Sequence, residues 1–160
     1  MPDMYPCEKV DLDFVASARY RSTASVDLPC TPERLFEVLE DAEAWPQWAM
    51  PITKVTWTSP QPYGVGTTRT VEMRGGLVGA EEFIAWEPFT RMAFRFNEAS
   101  QKTIRAFAED YRVIGTPGGC RLTWTMVIEP TGVARLTMGP TKPFLSLAMG
   151  RWLKRLRKLV

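Results

Sequence analysis

The last twenty residues, Thr141 to Val160, limit the possible folds more than any other stretch. Leu145, Met149, Trp152, Leu156 and Leu159 recur at spacings of four, three, four and three, so on an α-helix they form one apolar stripe. Ala148 and Leu153 flank that stripe, and Ser146, Gly150, Lys154, Arg157 and Lys158 fall opposite it. Thr141 is placed to cap the N-terminus, and Pro143 suits a first turn. Packing stabilises helices in water more than propensity does, so this stripe must be covered by the rest of the chain.

The rest of the chain reads mostly as strand. Tyr20 to Leu28 is rich in Thr, Ser and Val and forms a first strand, ended by Pro29. Thr31-Pro32 then caps and opens a helix whose apolar side is Leu35, Phe36, Leu39 and Ala42. Ala44 to Trp48 forms a second, shorter helix. From Ile52 the period changes to two. Strands are expected over 52–59, 66–74, 77–87, 90–97, 102–114 and 120–129, separated by Gly- and Pro-rich turns that include Gly75-Gly76. Tight turns between successive strands make an antiparallel meander, whose apolar face needs a cover. Only the C-terminal helix is long enough. The expected class is α+β: a curved antiparallel sheet of about six to seven strands wrapped around a long C-terminal helix, with two short helices after strand one.

At 160 residues the chain suits one domain, with 1–19 as an N-terminal extension and 20–160 as the folded unit. Six Trp, eight Phe and eight Met suit either a core or a cavity for an apolar ligand. The net charge of +2 hides an asymmetry. Lys142, Arg151, Lys154, Arg155, Arg157 and Lys158 lie in the C-terminal helix, and no acid follows Glu129. Of the 20 basic residues, 14 remain elsewhere against 18 acidic ones. The basic helix reads as a solvated face with favourable charge at a helix C-terminus; Lys154, Arg157 and Lys158 also make weak contact with an anionic membrane conceivable. Nucleic acid is not an expected partner, because the basic residues cluster on one helix whose other face is needed for packing. Three widely spaced Cys suggest neither a disulfide framework nor a zinc site. Asp3, Glu8, Lys9, Asp11 and Asp13 interrupt any signal-peptide core. A cytoplasmic protein, monomer or homodimer, is the expectation.

Four motifs occur in order. The first is Val26-Asp27-Leu28-Pro29 followed by Thr31-Pro32-Glu33 and Trp45-Pro46-Gln47-Trp48. Then come Gly64-Val65-Gly66-Thr67, Trp86-Glu87-Pro88 with Arg91-Met92-Ala93-Phe94, and Gly118-Gly119-Cys120-Arg121-Leu122-Thr123-Trp124. Over about residues 20–160 this order resembles the START-like, or SRPBCC, superfamily, most closely its bacterial polyketide cyclase/dehydrase-type branch. The resemblance implies a helix-grip fold with a deep apolar cavity. It implies no single reaction, since members bind lipids, polyketides, quinones or hormones.

The chain has no His, which removes the commonest general base and Ser-His-Asp or Cys-His catalysis. No carboxylate cluster has metal-like spacing, so neither metal nor cofactor is expected. Strand parity supplies the candidate ligand-binding residues. Arg69 alternates with Val71 and Met73, and Glu82 with Ile84 and Trp86; for Arg69 and Glu82 both an outer face and the cavity stay open. Arg105 and Glu109 alternate with Phe107 and Tyr111 on a face read as inward, and Arg105, Glu109 and Tyr111 are the candidate catalytic set. A buried charge there needs pairing or hydrogen bonds. Phe94, Phe96, Trp124, Met126 and Ile128 are expected inward, Leu145, Ala148, Met149 and Trp152 on the helix would form a cavity wall, and Trp45 and Trp48 would lie near the mouth in the family layout. Three functions follow: a carrier of a small hydrophobic ligand (lipid, polyketide or isoprenoid-like), a metal-free cyclase/aromatase or dehydratase, or a membrane-surface or partner-binding module.

Overall fold

The computed structural model describes residues 1–137 and 140–160. Its strands are β1 (Tyr5–Pro6), β2 (Arg21–Leu28), β3 (Ile52–Trp57), β4 (Thr68–Met73), β5 (Val78–Glu87), β6 (Arg91–Ala99), β7 (Ile104–Thr116) and β8 (Gly119–Pro130). The helices are α1 (Leu12–Ser17), α2 (Pro32–Glu40), α3 (Trp45–Trp48) and α4 (Ala134–Arg155), the last followed by a 3₁₀ turn at Leu156–Lys158. Seven strands run in the spatial order β2-β8-β7-β6-β5-β4-β3, all antiparallel. The meander from β3 to β8 follows chain order, and β2 closes it by pairing with β8. The sheet curls around α4, the helix-grip architecture expected from the alternation of strands and the apolar stripe.

Local chemistry explains the joints. Gly75 and Gly76, at φ +83° and +85°, make the β4–β5 hairpin in a conformation that costs any other residue a steric penalty. Thr31 Oγ1 accepts the Arg34 backbone N–H and caps α2, which buries Leu35, Phe36, Val38 and Leu39. Met149, Leu153 and Leu156 of the C-terminal helical segment are fully buried.

One part differs from the sequence reading. Helix α4 begins at Ala134, a full two turns before Thr141, so Thr141 lies within the helix and is not its N-cap. The early start is held from the sheet: Tyr20 Oη donates to the Arg135 carbonyl at 2.8 Å, and Arg135 pairs with Glu129 at 3.1 Å. Pro140 and Pro143 therefore fall inside the helix. The N-terminal extension packs on the sheet. Strand β1 pairs with β6, and α1 sets Phe14 and Val15 against Ala108 and Val127 on the outer sheet face.

Candidate functional site

A partly open cavity of about 230 Å³ lies between the curled sheet and α4. Met73, Phe94, Phe96, Phe107, Glu109, Tyr111, Trp124, Met126, Leu145 and Trp152 line it, as the strand and helix parities require. Ala49, Pro51, Ile52, Leu77, Glu81, Ile104 and Ile128 complete the lining. Ala49, Pro51, Ile52, Leu77 and Ile104 sit at element ends and joints, where a period of two or of 3.6 gives no direction. Only the packed fold brings them together.

Two buried polar groups sit in this apolar surround. In the first, Arg69 Nε donates to Glu81 Oε2 at 2.5 Å, with side-chain exposures of 0% and 3%. The guanidinium lies in an aromatic cage, 4.2 Å from the Trp45 ring centre, 4.6 Å from Phe94, 5.1 Å from Phe83 and 5.3 Å from Trp57. Its Nη1 and Nη2 have no hydrogen-bond partner among the described residues, and the ring faces partly replace one. Burial raises the Glu81 carboxyl above its ordinary range, against the pull of Arg69. Arg69 thus resolves to the interior, but its partner is Glu81. Glu82 points outward to Arg95 and Asn97.

The second group is built on β7 and β8. Tyr111 Oη donates to Glu109 Oε2 at 2.5 Å, and Trp124 Nε1 donates to the same oxygen at 3.0 Å. No described side chain bonds the other oxygen, Oε1. Register places all three together, because Tyr111 faces Trp124 across the β7–β8 ladder and Glu109 is two residues along the same strand face. Burial pushes the Glu109 carboxyl up to about 8, with the Glu81 charge adding to the rise and the Tyr111, Arg69 and Trp124 contacts opposing it. Tyr111 is held well above its ordinary value by burial and by Glu109, so it is a neutral donor. At neutral pH this end of the cavity presents a protonated acid.

Arg105 does not belong to this set. It is half-exposed and pairs with Glu8 at 2.7 Å on the outer face. The cause is a bulge: Ile104 pairs with Pro130 and Ala106 with Glu129, leaving Arg105 as the extra residue and reversing its direction. Trp45 and Trp48 are also not at a mouth. Both are fully buried, packed at 5.1 Å on each other, with Trp45 Nε1 donating to the Leu39 carbonyl; they wedge α3 onto the sheet. Val71 and Met149 are core residues outside the cavity lining, and Ala148 is half-buried beside it. Lys154, Arg157 and Lys158 are exposed, and Arg157 donates to the Asp27 carbonyl.

No described helix is long and apolar enough to cross a membrane. Residues 19–160 match the family described as polyketide cyclase / dehydrase and lipid transport. An uncharacterized protein of Mycobacterium tuberculosis is 63% identical over 155 residues, covering 97% of this chain and 93% of its own length. Its counterpart in Mycobacterium bovis matches to the same extent. Among solved structures, a Thermus thermophilus protein superposes with a TM-score of 0.70 at 17% identity, covering 86% of this chain and 94% of the other. A START superfamily protein from Mycobacterium smegmatis gives 0.64 at 13% identity, covering 86% and 92%.

Proposed function

Since the chain belongs to the polyketide cyclase / dehydrase and lipid transport family, we propose that it binds a small, mostly apolar ligand between the sheet and α4, with Glu109 at the polar end. The observation that carries this reading is the cavity itself: a mostly apolar, partly open space with a buried acid on its wall that has no described side-chain partner at Oε1. At about 230 Å³ it is smaller than the roughly 300–1,000 Å³ of most drug-sized sites, which favours a compact or short-chain ligand over a two-chain lipid. The test is native mass spectrometry of protein purified from its own host, with extraction of any adduct. A stoichiometric apolar adduct supports the reading. A ligand-free mass, together with no uptake of any small apolar probe, overturns it.

A second reading is enzymatic, of the cyclase or dehydratase kind. It is favoured by one observation: Glu109 sits on the cavity wall with Oε2 held by Tyr111 and Trp124 and no described side chain on Oε1, and burial pushes its carboxyl up to about 8, where the same group can give and take a proton. In this reading Glu109 protonates a departing hydroxyl or, when ionised, removes a proton beside a carbonyl, while Tyr111 holds its Oε2. Arg105 has no part. Deuterium uptake beside the carbonyl of a small ketone, faster with the wild type than with Glu109→Gln, supports it; equal rates reject it.

Membrane contact through Lys154, Arg157 and Lys158 is the least supported proposal. Of the large exposed apolar side chains of α4, Leu136 lies near its N-terminus and Phe144 near its middle, while Leu147 lies two turns before Lys154. Salt-sensitive sedimentation with anionic vesicles, lost on changing all three basic residues to Glu, is the result it requires.

A further inference from the structure

The cavity wall carries acids and no base. Among the described lining residues Glu81 and Glu109 are the only charged types, and no Lys or Arg joins them. The one nearby cation, Arg69, is committed to Glu81 and enclosed by aromatic rings. A ligand carboxylate would enter beside two carboxyl groups with no cation among the described lining residues, a costly arrangement in an apolar site.

The hydrogen-bond pattern at Glu109 also gives its proton a direction. Tyr111 and Trp124 both donate to Oε2 and so occupy that oxygen as an acceptor. The proton of the neutral acid therefore sits on Oε1, the oxygen left for a ligand. The wall around it includes Phe94 and Phe107, which supply shape and no donor, and Trp152, whose indole N–H is the one further side-chain donor among the described lining residues outside the Glu109 group. We propose that the cavity selects an uncharged ligand presenting a carbonyl oxygen, as a ketone, ester or amide, to Oε1–H of Glu109, and rejects the carboxylate of the same skeleton. This rests on the ligand-binding reading and adds to it the class of ligand taken. A protonated amine is disfavoured too: it would have to be desolvated as Glu109 gave up its proton, exchanging a neutral contact for a buried ion pair.

Three other titratable or charged groups act on Glu109. Glu81 raises its proton affinity, Arg69 lowers it, and Tyr111 lowers it through the hydrogen bond. Below about pH 8 the acid is the donor the proposal needs; above it, the donor is lost.

The experiment uses the full chain and four matched probes: acetophenone, benzoate, benzylamine and toluene, measured by calorimetry or ligand-observed NMR. At about pH 7, acetophenone should bind at least about tenfold more tightly than benzoate, benzylamine or toluene. By about pH 9 its affinity should fall by roughly tenfold, following the deprotonation of Glu109. In Glu109→Gln that pH dependence should vanish; if the variant does not fold, the wild-type pH series alone carries the test. Benzoate or benzylamine binding as well as acetophenone overturns the proposal. So does a ketone affinity equal to that of toluene, or one that does not change with pH. Failure of all four probes, toluene included, overturns the ligand-binding reading beneath it.

Discussion

Glu81 and Glu109 are both buried and both line the cavity, yet they are partnered differently. Glu81 has a guanidinium bonded to it, and that guanidinium is surrounded by four aromatic rings. Glu109 has two neutral donors on one oxygen and none on the other. Burial raises both, at Glu81 against the pull of Arg69; Glu109 has no bonded cation and is pushed up to about 8. The difference teaches that burial alone does not make a site. An acid with a committed partner holds the fold together, whereas one with a spare oxygen is available to a ligand.

The largest effect should come from breaking the committed pair. Arg69→Met leaves Glu81 buried with no counter-charge, and should cost about 3–5 kcal/mol in denaturant unfolding. Replacing both partners, Arg69→Met with Glu81→Leu, should recover most of that loss, because removing two buried charges together avoids an orphan. If the double variant is no better than the single, the pair is not the unit described here.

Glu109→Gln should act in the opposite direction at high pH. The folded chain keeps this proton up to about 8, whereas an unfolded carboxyl releases it near 4.5. Between those limits the unfolded state binds fewer protons, so stability falls as pH rises through the window. The substitution should flatten that slope and leave the variant more stable than wild type near pH 8, by on the order of a few kcal/mol. Glu81 and Glu40, both raised chiefly by burial, contribute to the remaining slope in the same direction. Stability curves at several pH values check this, and an unchanged slope contradicts it.

Tyr111→Phe should cost about 1 kcal/mol, since Trp124 still donates to Oε2. Loss of the Tyr111 donor should also move the Glu109 midpoint higher, because that bond favours the ionised form. A fall in the midpoint would show that Tyr111 acts otherwise. The smallest effect is expected at Arg105. Arg105→Ala removes an exposed pair with Glu8 and should leave both ligand affinity and melting temperature within error. A clear loss of binding would return Arg105 to the site.

Much of this was legible in the sequence. The run Thr90 to Asn97 alternates without interruption, and Phe94 and Phe96 line the cavity, while Met149 and Leu156 of the C-terminal stripe are buried. What escaped reading has local physical causes. One bulged residue reverses Arg105. Irregular register between β5 and β6 puts Glu81 inside and Glu82 outside, opposite to a strict count from Trp86. The wedge formed by Trp45 and Trp48 depends on the backbone carbonyl of Leu39 and on ring packing, neither of which has a sequence period. Likewise the tether from Tyr20 to Arg135 spans 115 residues, so nothing near Thr141 announces that the helix starts earlier.

The most direct measurement is an NMR titration of the side-chain carboxyl carbons, with Glu109 assigned by its absence in Glu109→Gln. The account predicts a midpoint near 8 for Glu109 in the ligand-free protein, moving higher when acetophenone binds and holds the neutral form. A midpoint near the ordinary carboxylate value of 4.5, or one that acetophenone lowers, would contradict it.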